Sequence, residues 1–279
     1  MVLVKTKTEL QKQLDKFRQK GTLGLVPTMG ALHAGHMSLV EKAVTENQTV
    51  VVTIFVNPTQ FNDLADLKRY PRNLEADLKL LENSGCDFVF APEPKDIYPE
   101  PDTRQFNFGK LETVMEGKHR PGHFNGVAQV VSRLFNIVKP DKAYFGLKDF
   151  QQLAVIKKMT KQLNLSVEIV PCEIIREKNG LAMSSRNELL TAEERENASV
   201  IYKTLTEAKK QTTQKSVEQL RDWMTENINN NPYLTVEYIE IVDDKTLQPV
   251  ENRSDEGTKV ACAAVFCGKV RLIDNMVLN

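Results

Sequence analysis

The 279-residue chain carries equal numbers of basic and acidic residues, 37 of each, so its formal net charge at pH 7 is zero. This balance argues against a general nucleic-acid-binding or membrane-surface role, for which a basic excess is expected. The hydrophobic share of 41% and the charged share of 27% are those of a globular protein. Because the length exceeds the usual size of one domain, we expect a large domain and a smaller one.

The cysteines and the N-terminus indicate the cellular compartment. Cys86, Cys172, Cys262 and Cys267 show no C-x-x-C spacing, and their largely apolar surroundings indicate buried free thiols in a reducing cytosol. No apolar stretch has transmembrane length, and the first residues lack the core of a signal peptide. We therefore expect a cytoplasmic protein that binds neither nucleic acid nor a membrane.

Strand-like apolar runs alternate with helical patterns through the first two-thirds of the chain. Strands are predicted at residues 23–28, 49–57, 87–91, 142–145 and 167–171. Helices are predicted at residues 35–47, 73–84, 126–138 and 150–163. The continuous apolar run at 50–56 is typical of a strand in a parallel sheet with helices on both faces. These patterns predict an α/β fold with a Rossmann-like doubly wound parallel sheet.

The pattern changes after residue 173. Helices are predicted at 191–211 and 216–229, and strands at 235–242, 260–266 and 270–273. Helices followed by hairpin-like strands are typical of a compact α+β unit. We expect a Rossmann-like domain over residues 1–175 and a smaller C-terminal α+β domain over residues 176–279.

The segment after the first long strand is the most informative. Gly30 and Gly35 permit tight turns there, and His33 and His36 lie three residues apart. The amides and the dipole of a helix N-terminus favour an anion, so a phosphate fits beside the two rings, which can donate hydrogen bonds to it. Two other interpretations stay open. The pair could hold a metal, although no further ligands stand nearby, or the two histidines could simply lie on a surface loop.

Other polar residues follow predicted strands, where ligands of parallel sheets bind. Asn57 and Gln60 offer amide donors and acceptors, although turn chemistry alone also explains them. Lys148 stands at a strand-to-helix junction, where helix capping does not explain a cation. The glycine-bearing basic loop around Arg120 fits phosphate or carboxylate binding, or is only a solvated basic loop. The hydroxyls and the guanidinium at 183–186 are a weak signal in isolation.

Seven motifs together resemble the pantothenate synthetase family of the HIGH-type nucleotidyltransferase superfamily. They are P-T-M-G-A-L-H-A-G-H at 27–36, F-V-N-P-T-Q-F at 55–61, Y-P-R at 70–72, R-P-G-H-F at 120–124, F-G-L-K-D-F-Q-Q at 145–152, M-S-S-R-N at 183–187 and R-L-I-D-N at 271–275. One motif would mark only the superfamily. Seven in order, spread over nearly the whole chain, indicate the family.

The resemblance implies an amide-forming ligase that condenses (R)-pantoate with β-alanine. ATP is consumed, a pantoyl adenylate forms, and pantothenate, AMP and pyrophosphate are released. Residues 1–175 would bind nucleotide and pantoate, and residues 176–279 would act as a lid. The resemblance also implies a homodimer and Mg²⁺ that accompanies ATP, for which we place no metal-binding residues.

The resemblance also implies roles for the residues that match the family motifs. His36 would act as the acid, with His33 and Lys148 beside the phosphates. Gln60 and Gln152 would bind pantoate, Gln60 would also lie near β-alanine, and Asn57 and Arg120 would assist on the substrate and phosphate side. The residues that would contact ATP are Met29, Gly30, Ala31, Leu32, His33, Ala34, Gly35, His36, Gly146, Leu147, Lys148, Asp149, Ile175, Met183, Ser184, Ser185 and Arg186.

Two departures from related patterns affect details. The lysines of the mobile synthetase loop are replaced by Ser184, Ser185 and Arg186, so the histidines, Lys148, Arg186 and Mg²⁺ would meet the phosphate charge. The segment 63–66 differs from the more acidic, proline-bearing loop of the family, which affects the expected conformation of that loop.

Other functions would keep this fold. Another HIGH-type nucleotidylyltransferase, acting on a different small acid or phosphate, would share His33 and His36 but not the set Asn57, Gln60 and Gln152. A tRNA-binding synthetase fragment is disfavoured by the neutral charge and by the absence of an anticodon-type extension. A non-catalytic nucleotide-binding module is disfavoured because every candidate polar residue is retained.

Overall fold

A computed structural model of the chain describes residues 1–18 and 21–279. The strands are β1 (Val2–Val4), β2 (Leu23–Thr28), β3 (Thr49–Ile54), β4 (Phe88–Phe90), β5 (Lys142–Gly146), β6 (Glu168–Cys172), β7 (Leu234–Asp243), β8 (Lys259–Cys267) and β9 (Val270–Val277). The helices are α1 (Lys7–Leu14), α2 (Ala34–Glu46), α3 (Leu64–Arg69), α4 (Leu74–Leu81), α5 (Pro94–Ile97), α6 (Met115–His119), α7 (His123–Val138), α8 (Phe150–Gln162), α9 (Ala192–Asn197), α10 (Ser199–Lys210) and α11 (Val217–Asn229). Short 3-10 turns lie at Pro58–Gln60, Gly109–Glu112, Leu147–Asp149 and Ser185–Leu189.

The chain forms two compact units. The first contains Met1–Phe108, Arg120–Leu147 and Gln152–Glu173. The second contains Gly109–His119, Lys148–Gln151 and Ile174–Asn279. The second unit therefore includes two segments from the middle of the chain as well as the C-terminal part. The division into domains 1–175 and 176–279 stays a prediction.

The first unit is built on a parallel sheet. In the described part of the chain this sheet has six strands, in the order β1-β4-β3-β2-β5-β6. β2 pairs with β3 along its whole length, from Leu23 opposite Thr49 to Thr28 opposite Ile54. Val50, Val51 and Val52 of β3 are all buried, because side chains on both faces of a central parallel strand are covered. The predicted doubly wound α/β sheet is confirmed.

The direction in which strands are added reverses beside β2. From β2 the chain continues to β3 and β4 on one side, and it later places β5 and β6 on the other side. Ligands of open α/β sheets bind beyond the carboxyl ends of the strands at such a reversal. The segments that follow Thr28, Ile54 and Gly146 leave the sheet at this edge, so they are the structural candidates for a ligand site.

The second unit contains an antiparallel sheet packed against helices. Among the described residues this sheet has three strands, in the order β7-β8-β9. Ala261 and Ala263 of β8 share a buried core with Leu205 of α10 and Leu220 of α11. α11 begins at a capping box, in which the side chains of Ser216 and Gln219 each accept the other residue's backbone N–H. The predicted smaller α+β part is confirmed.

The structure corrects several predicted boundaries. β3 ends at Ile54 instead of residue 57, because Asn57 caps the 3-10 turn that begins at Pro58. The helix predicted at 191–211 is in fact two helices that meet at Ala198. The backbone of Ala198 is itself helical, and the sequence pattern does not mark the break. β9 continues to Val277 instead of ending at residue 273.

Two further observations concern the expected compartment. Over residues 1–18 and 21–279, no helix combines the length and the apolar character needed to cross a membrane. Cys86, Cys172, Cys262 and Cys267 are buried free thiols, as predicted.

Candidate active site

The turn after β2 is shaped by hydrogen bonds to its backbone. The hydroxyl of Thr28 donates to the carbonyl oxygen of Thr53 at 2.6 Å and accepts the N–H of Gly30 at 3.2 Å. Gly30 has a φ of 79°, and a Cβ atom at this position would lie 2.8 Å from Oδ2 of Asp77. Only glycine therefore fits at this point of the turn without strain.

Asp77 of α4 holds the next two residues of this turn. Its carboxylate accepts the N–H of Ala31 at 3.0 Å and the N–H of Leu32 at 2.7 Å. The side chain is buried. Burial raises the pKa of Asp77, and the two backbone hydrogen bonds oppose that shift. The conformation of residues 30–32 therefore depends on a buried carboxylate that lies outside the predicted site motifs.

His33 and His36 lie side by side at the N-terminus of α2. His33 is the N-cap residue, and its Nδ1 accepts the N–H of Gly35 at 3.1 Å. The centroids of the two imidazole rings are 4.1 Å apart. Because Nδ1 of His33 accepts a hydrogen bond, the neutral ring carries its proton on Nε2, which is then a donor. The predicted pairing of the rings is found, whereas the N–H of Gly35 is used by His33 instead of facing a ligand.

Asn57 and Gln60 form a buried amide pair after β3. Nδ2 of Asn57 donates to Oε1 of Gln60 at 3.1 Å, and Oδ1 of Asn57 accepts the hydroxyl of Tyr98 at 2.8 Å. Nε2 of Gln60 lies 3.3 Å from the sulfur of Met29. A thioether is a weak acceptor, so an oxygen atom of a ligand can compete for the Gln60 amide. Asn57 is only 1% exposed, which suits it to orienting Gln60.

Arg120 and His123 support the same amide pair. Nδ1 of His123 lies 2.7 Å from the backbone oxygen of Gln60, and Nε2 lies 3.3 Å from Nη1 of Arg120. Because a guanidinium can only donate, these contacts fit a neutral ring that donates from Nδ1 and accepts at Nε2. Gly126 of α7 packs on the backbone of Thr59 and Gln60, where a Cβ would overlap that backbone. The position of Gln60 is thus set by contacts with α7.

Three more predicted residues of the first unit lie at or after β5. Gly146 ends β5, and Leu147 opens the following 3-10 turn. Gln152 lies in the first turn of α8. All three are half-buried. Gly146 and Leu147 therefore lie at the same end of the sheet as the histidine pair, where the carboxyl ends of the strands meet.

In the second unit, Lys148 and Asp149 lie in the 3-10 turn Leu147–Asp149. Nζ of Lys148 is 3.3 Å from Oδ2 of Asp149, and the Lys148 side chain is 19% exposed. The backbone oxygen of Lys148 accepts Nδ2 of Asn275 at 3.0 Å. The lysine side chain is thus partly exposed, and its main chain is anchored by Asn275.

Residues 175–186 of the second unit form a hairpin and the turn that follows it. The backbone N–H of Met183 donates to the oxygen of Ile175 at 2.9 Å, and Arg176 bridges to Ala182. Ser184 caps the 3-10 turn Ser185–Leu189 by accepting the N–H of Arg186 at 3.2 Å. Ile175 and Met183 are thus paired across the hairpin, and Ser184, Ser185 and Arg186 follow directly in the turn.

A charged cluster holds this hairpin beside its turn, where the N–H of Glu177 donates to the oxygen of Leu181. Both carboxylate oxygens of Glu177 lie 2.8 Å from the guanidinium of Arg195. The buried Asn187 donates to Glu177 at 2.7 Å and to the oxygen of Ala182 at 3.1 Å. The hydrogen bond to Glu177 raises the pKa of Arg195.

Sequence reasoning missed three residues that shape these regions. Asp77, Tyr98 and His123 contact, respectively, the turn at 31–32, Asn57 and the backbone of Gln60. A usable signal exists for Asp77, because it shares one helical face with Leu81 at i+4 and is therefore a carboxylate on a buried face. His123 lies in the R-P-G-H-F motif, which marked the segment without showing a contact with Gln60, and Tyr98 carries no local signal.

A doubly wound sheet with polar residues at its switch point defines an α/β protein of the nucleotide-binding class. A family model described as pantoate-beta-alanine ligase matches residues 2–277. The chain belongs to this family.

Individual relatives agree with this family. The chain is 56% identical over 278 residues to the pantothenate synthetase of Phocaeicola vulgatus, covering 99% of both chains. It is 53% identical over 277 residues to that of Bacteroides thetaiotaomicron, covering 99% of this chain and 98% of the relative.

Solved structures give the same result. The pantothenate synthetase of Thermus thermophilus matches with a TM-score of 0.93 and 41% identity, covering 100% of this chain and 99% of that one. The pantoate-beta-alanine ligase of Francisella tularensis, complexed with beta-gamma ATP and beta-alanine, matches with a TM-score of 0.85 and 36% identity. That match covers 100% of this chain and 98% of the Francisella chain.

Proposed function

We propose that this chain joins (R)-pantoate to β-alanine at the expense of ATP, giving pantothenate, AMP and pyrophosphate. The observation that carries the proposal is the family match over residues 2–277. The Francisella relative, whose structure is complexed with beta-gamma ATP and beta-alanine, supports the choice of substrates. The reaction has two steps: pantoate is first adenylated, and β-alanine then displaces AMP. No observation favours another HIGH-type nucleotidylyltransferase activity.

In the first step, a carboxylate oxygen of pantoate attacks the α-phosphorus of ATP and pyrophosphate leaves. This displacement needs alignment and charge neutralisation more than a protein nucleophile. His33 would donate from Nε2 to a phosphate oxygen, since its Nδ1 is held by Gly35. His36 beside it would act as the acid. Met29 and the backbone of residues 30–35 would complete this side of the nucleotide site.

Residues of the turn at 146–149 and of the hairpin would meet the remaining phosphate charge and hold the base. Lys148, whose side chain is partly exposed, would stabilise the negative charge that grows on the transferring phosphate. Gly146, Leu147 and Asp149 would hold nucleotide from the same turn. Arg186, with Met183, Ser184 and Ser185, would contact the phosphates, and Ile175 would lie against the adenine.

The amide pair would bind the acid substrate. Gln60 would donate from Nε2 to pantoate, because its present partner is the weakly accepting sulfur of Met29. Asn57 keeps the Gln60 amide in this orientation by donating to Oε1 at 3.1 Å. Gln152 would bind pantoate as well, and Arg120 would assist with a negatively charged group.

In the second step, the neutral amine of β-alanine attacks the acyl carbon of pantoyl adenylate. The C–N bond forms, the bond between the acyl carbon and the bridging oxygen breaks, and AMP leaves with that oxygen. The amine proton is released to solvent or a base. Gln60 would also lie near the attacking β-alanine.

Mg²⁺, the oligomeric state and the location belong to the proposal too. Among the described residues, no three His, Cys, Asp or Glu residues are grouped so that they could hold a metal ion, and we assign none to Mg²⁺. We propose that Mg²⁺ accompanies the phosphates of ATP, that the chain is a homodimer and that it works in the cytoplasm. Chelator titration with Mg²⁺ add-back, light scattering and cell fractionation test these three points.

Pantoate-dependent exchange of labelled pyrophosphate into ATP tests the activity. The reversible first step predicts exchange with (R)-pantoate in the absence of β-alanine. Small hydroxy acids that are unrelated to pantoate serve as controls. Equal exchange with those acids, or none with pantoate, would contradict the proposal.

A further inference from the structure

The motif R-L-I-D-N at 271–275 has no role in the chemistry described above. It lies on β9, and the two polar residues at its end are almost fully buried, with Asp274 5% exposed and Asn275 8% exposed. Buried polar side chains are retained at a cost and must be hydrogen-bonded. The partners of these two residues indicate what the motif does.

Asn275 holds the main chain of Lys148. Its Nδ2 donates to the backbone oxygen of Lys148 at 3.0 Å. The lysine lies in a short 3-10 turn, whose few internal hydrogen bonds leave its conformation dependent on outside contacts. A donor supplied by a β-strand therefore fixes the point from which the Lys148 side chain starts.

Asp274 holds the hairpin at residues 175–183. Its carboxylate makes a bidentate ion pair with the guanidinium of Arg176, at 2.6 Å and 3.0 Å. Nη1 of Arg176 also donates to the oxygen of Gly180 at 3.1 Å, and the guanidinium lies 4.0 Å from the ring centroid of Tyr202. Contacts on several sides thus fix the Arg176 guanidinium. Arg176 in turn holds the hairpin that leads to Met183.

The two residues are coupled to each other. Oδ1 of Asp274 accepts the backbone N–H of Asn275 at 2.8 Å, so the carboxylate that holds Arg176 also orders the residue that holds Lys148. Burial raises the pKa of Asp274, and the charges of Arg176 and Lys148 oppose that shift. One short segment of β9 therefore contacts both Lys148 and the hairpin through neighbouring residues.

We propose that Asn275 and Asp274 are positioning residues of the adenylation step. Asn275 sets the main chain of Lys148 for phosphate stabilisation, and Asp274 sets, through Arg176, the hairpin that carries the nucleotide contacts. This role rests on the proposed function and adds residues that touch neither substrate. A purely structural role would lower stability without changing particular kinetic constants.

The first test replaces Asn275 by Ala. Loss of its hydrogen bond frees the main chain of Lys148, so kcat of pantoate-dependent exchange should fall by about 10- to 100-fold, while KM for pantoate stays within about twofold. The matched control is Asn227→Ala, which removes a bond of 2.6 Å from Nδ2 to the hydroxyl of Thr204 elsewhere in the same unit. Its kcat should be unchanged.

A second variant keeps the test valid if Asn275→Ala does not fold. Asn275→Leu preserves side-chain size but cannot donate to Lys148, so the same loss of kcat is expected. Thermal melts identify which variants are folded. A folded variant of either kind with wild-type kcat would overturn the proposal for Asn275.

A double mutant tests whether Asn275 acts through the lysine. If it does, Lys148→Ala combined with Asn275→Ala should be no slower than Lys148→Ala alone, within about twofold, because a shared pathway makes the two effects non-additive. A double mutant in which the two single losses multiply would refute action through Lys148.

Arg176→Lys tests the second part of the proposal, that Asp274 positions the hairpin through Arg176. Lysine keeps the charge but loses the bidentate geometry, so KM for ATP should rise about tenfold while kcat changes less than threefold. An unchanged KM for ATP would overturn the role of Asp274. Wild-type protein in the same assay separates the two proposals: no exchange in wild type contradicts the proposed function, whereas an active wild type with unaffected variants contradicts only the positioning role.

Discussion

The histidine region of the first unit and the lysine region of the second are stabilised in different ways. In residues 28–36, backbone N–H groups donate to the nearby hydroxyl of Thr28 and to the buried carboxylate of Asp77. Lys148 is held at its backbone oxygen by Asn275, and the hairpin at 175–183 is held through the Arg176 guanidinium by Asp274.

This difference has a consequence for mutation. A turn that also has a local hydrogen bond, such as that from Gly30 to Thr28, keeps part of its shape when one distant partner is removed. A short turn and a hairpin held by side-chain networks lose their arrangement when one partner is removed. We therefore expect the first region to be sensitive at the reacting groups and at Asp77, and the second region to be sensitive at remote partners as well.

The largest effects should come from the groups that contact phosphate in each region. His36→Ala and Lys148→Ala should each lower pantoate-dependent exchange by about 10² to 10³-fold, since each removes a donor to developing charge. Single-turnover measurements check this. His119→Ala and Lys158→Ala, which change residues without a proposed role, should leave the rate intact. Wild-type rates for the first pair would refute the roles of both residues.

Asp77→Asn tests whether the Asp77 carboxylate holds the turn before His33. One of the two backbone N–H groups at 31–32 would lose its acceptor, which should cost about 1–3 kcal/mol of unfolding free energy and slow exchange by about tenfold. Asp87→Asn is the control, because Asp87 accepts the N–H of Val50 at 2.8 Å in the same sheet. Equal slowing by both variants would show that lost stability, and not the turn, explains the effect.

Glu177→Gln should have a smaller effect in the second region. Arg195 is 40% exposed, so the weakened ion pair should cost about 0.5–1 kcal/mol. KM for ATP should rise about threefold, because the turn end of the hairpin loosens. Glu207→Gln, which affects the exposed pair with Lys210, should change neither quantity. If the two variants behave alike, the charged cluster does not support the hairpin.

The smallest effect near neutral pH is expected for the titration of Asp102, which changes the free energy of unfolding only in acid. Hydrogen bonds from Arg104 and Arg133 hold the pKa of Asp102 well below its usual range, despite its burial. Its folded-state pKa therefore lies below the unfolded value of about 3.9, so its stabilising contribution is present above about pH 4 and is lost as the pH falls further.

Urea unfolding between pH 7 and pH 3 measures this contribution. The free energy of wild type should fall below about pH 4 more steeply than that of Asp102→Asn, whose side chain does not titrate. Parallel curves would show that other carboxylates control acid stability.

The sequence predicted what local patterns determine. The apolar runs of β2 and β3 indicated buried parallel strands, and the spacing of His33 and His36 indicated a paired site. The pattern can mark Asp77 as a carboxylate on a buried helix face, but it could not indicate the contact with residues 31–32, which lie 46 and 45 residues away. The same holds for Asn275 and Lys148, which are 127 residues apart. Contacts set by tertiary packing leave no periodic signal.

The fate of one oxygen atom tests the central claim, a pantoyl adenylate, most directly. Pantoate labelled with ¹⁸O in its carboxylate is incubated with ATP, β-alanine and the protein, and the products are analysed by mass spectrometry. Attack of the carboxylate on the α-phosphorus predicts that AMP acquires one labelled oxygen per turnover, because AMP leaves with the bridging atom. Unlabelled AMP, or label in inorganic phosphate with ADP as product, would contradict the account.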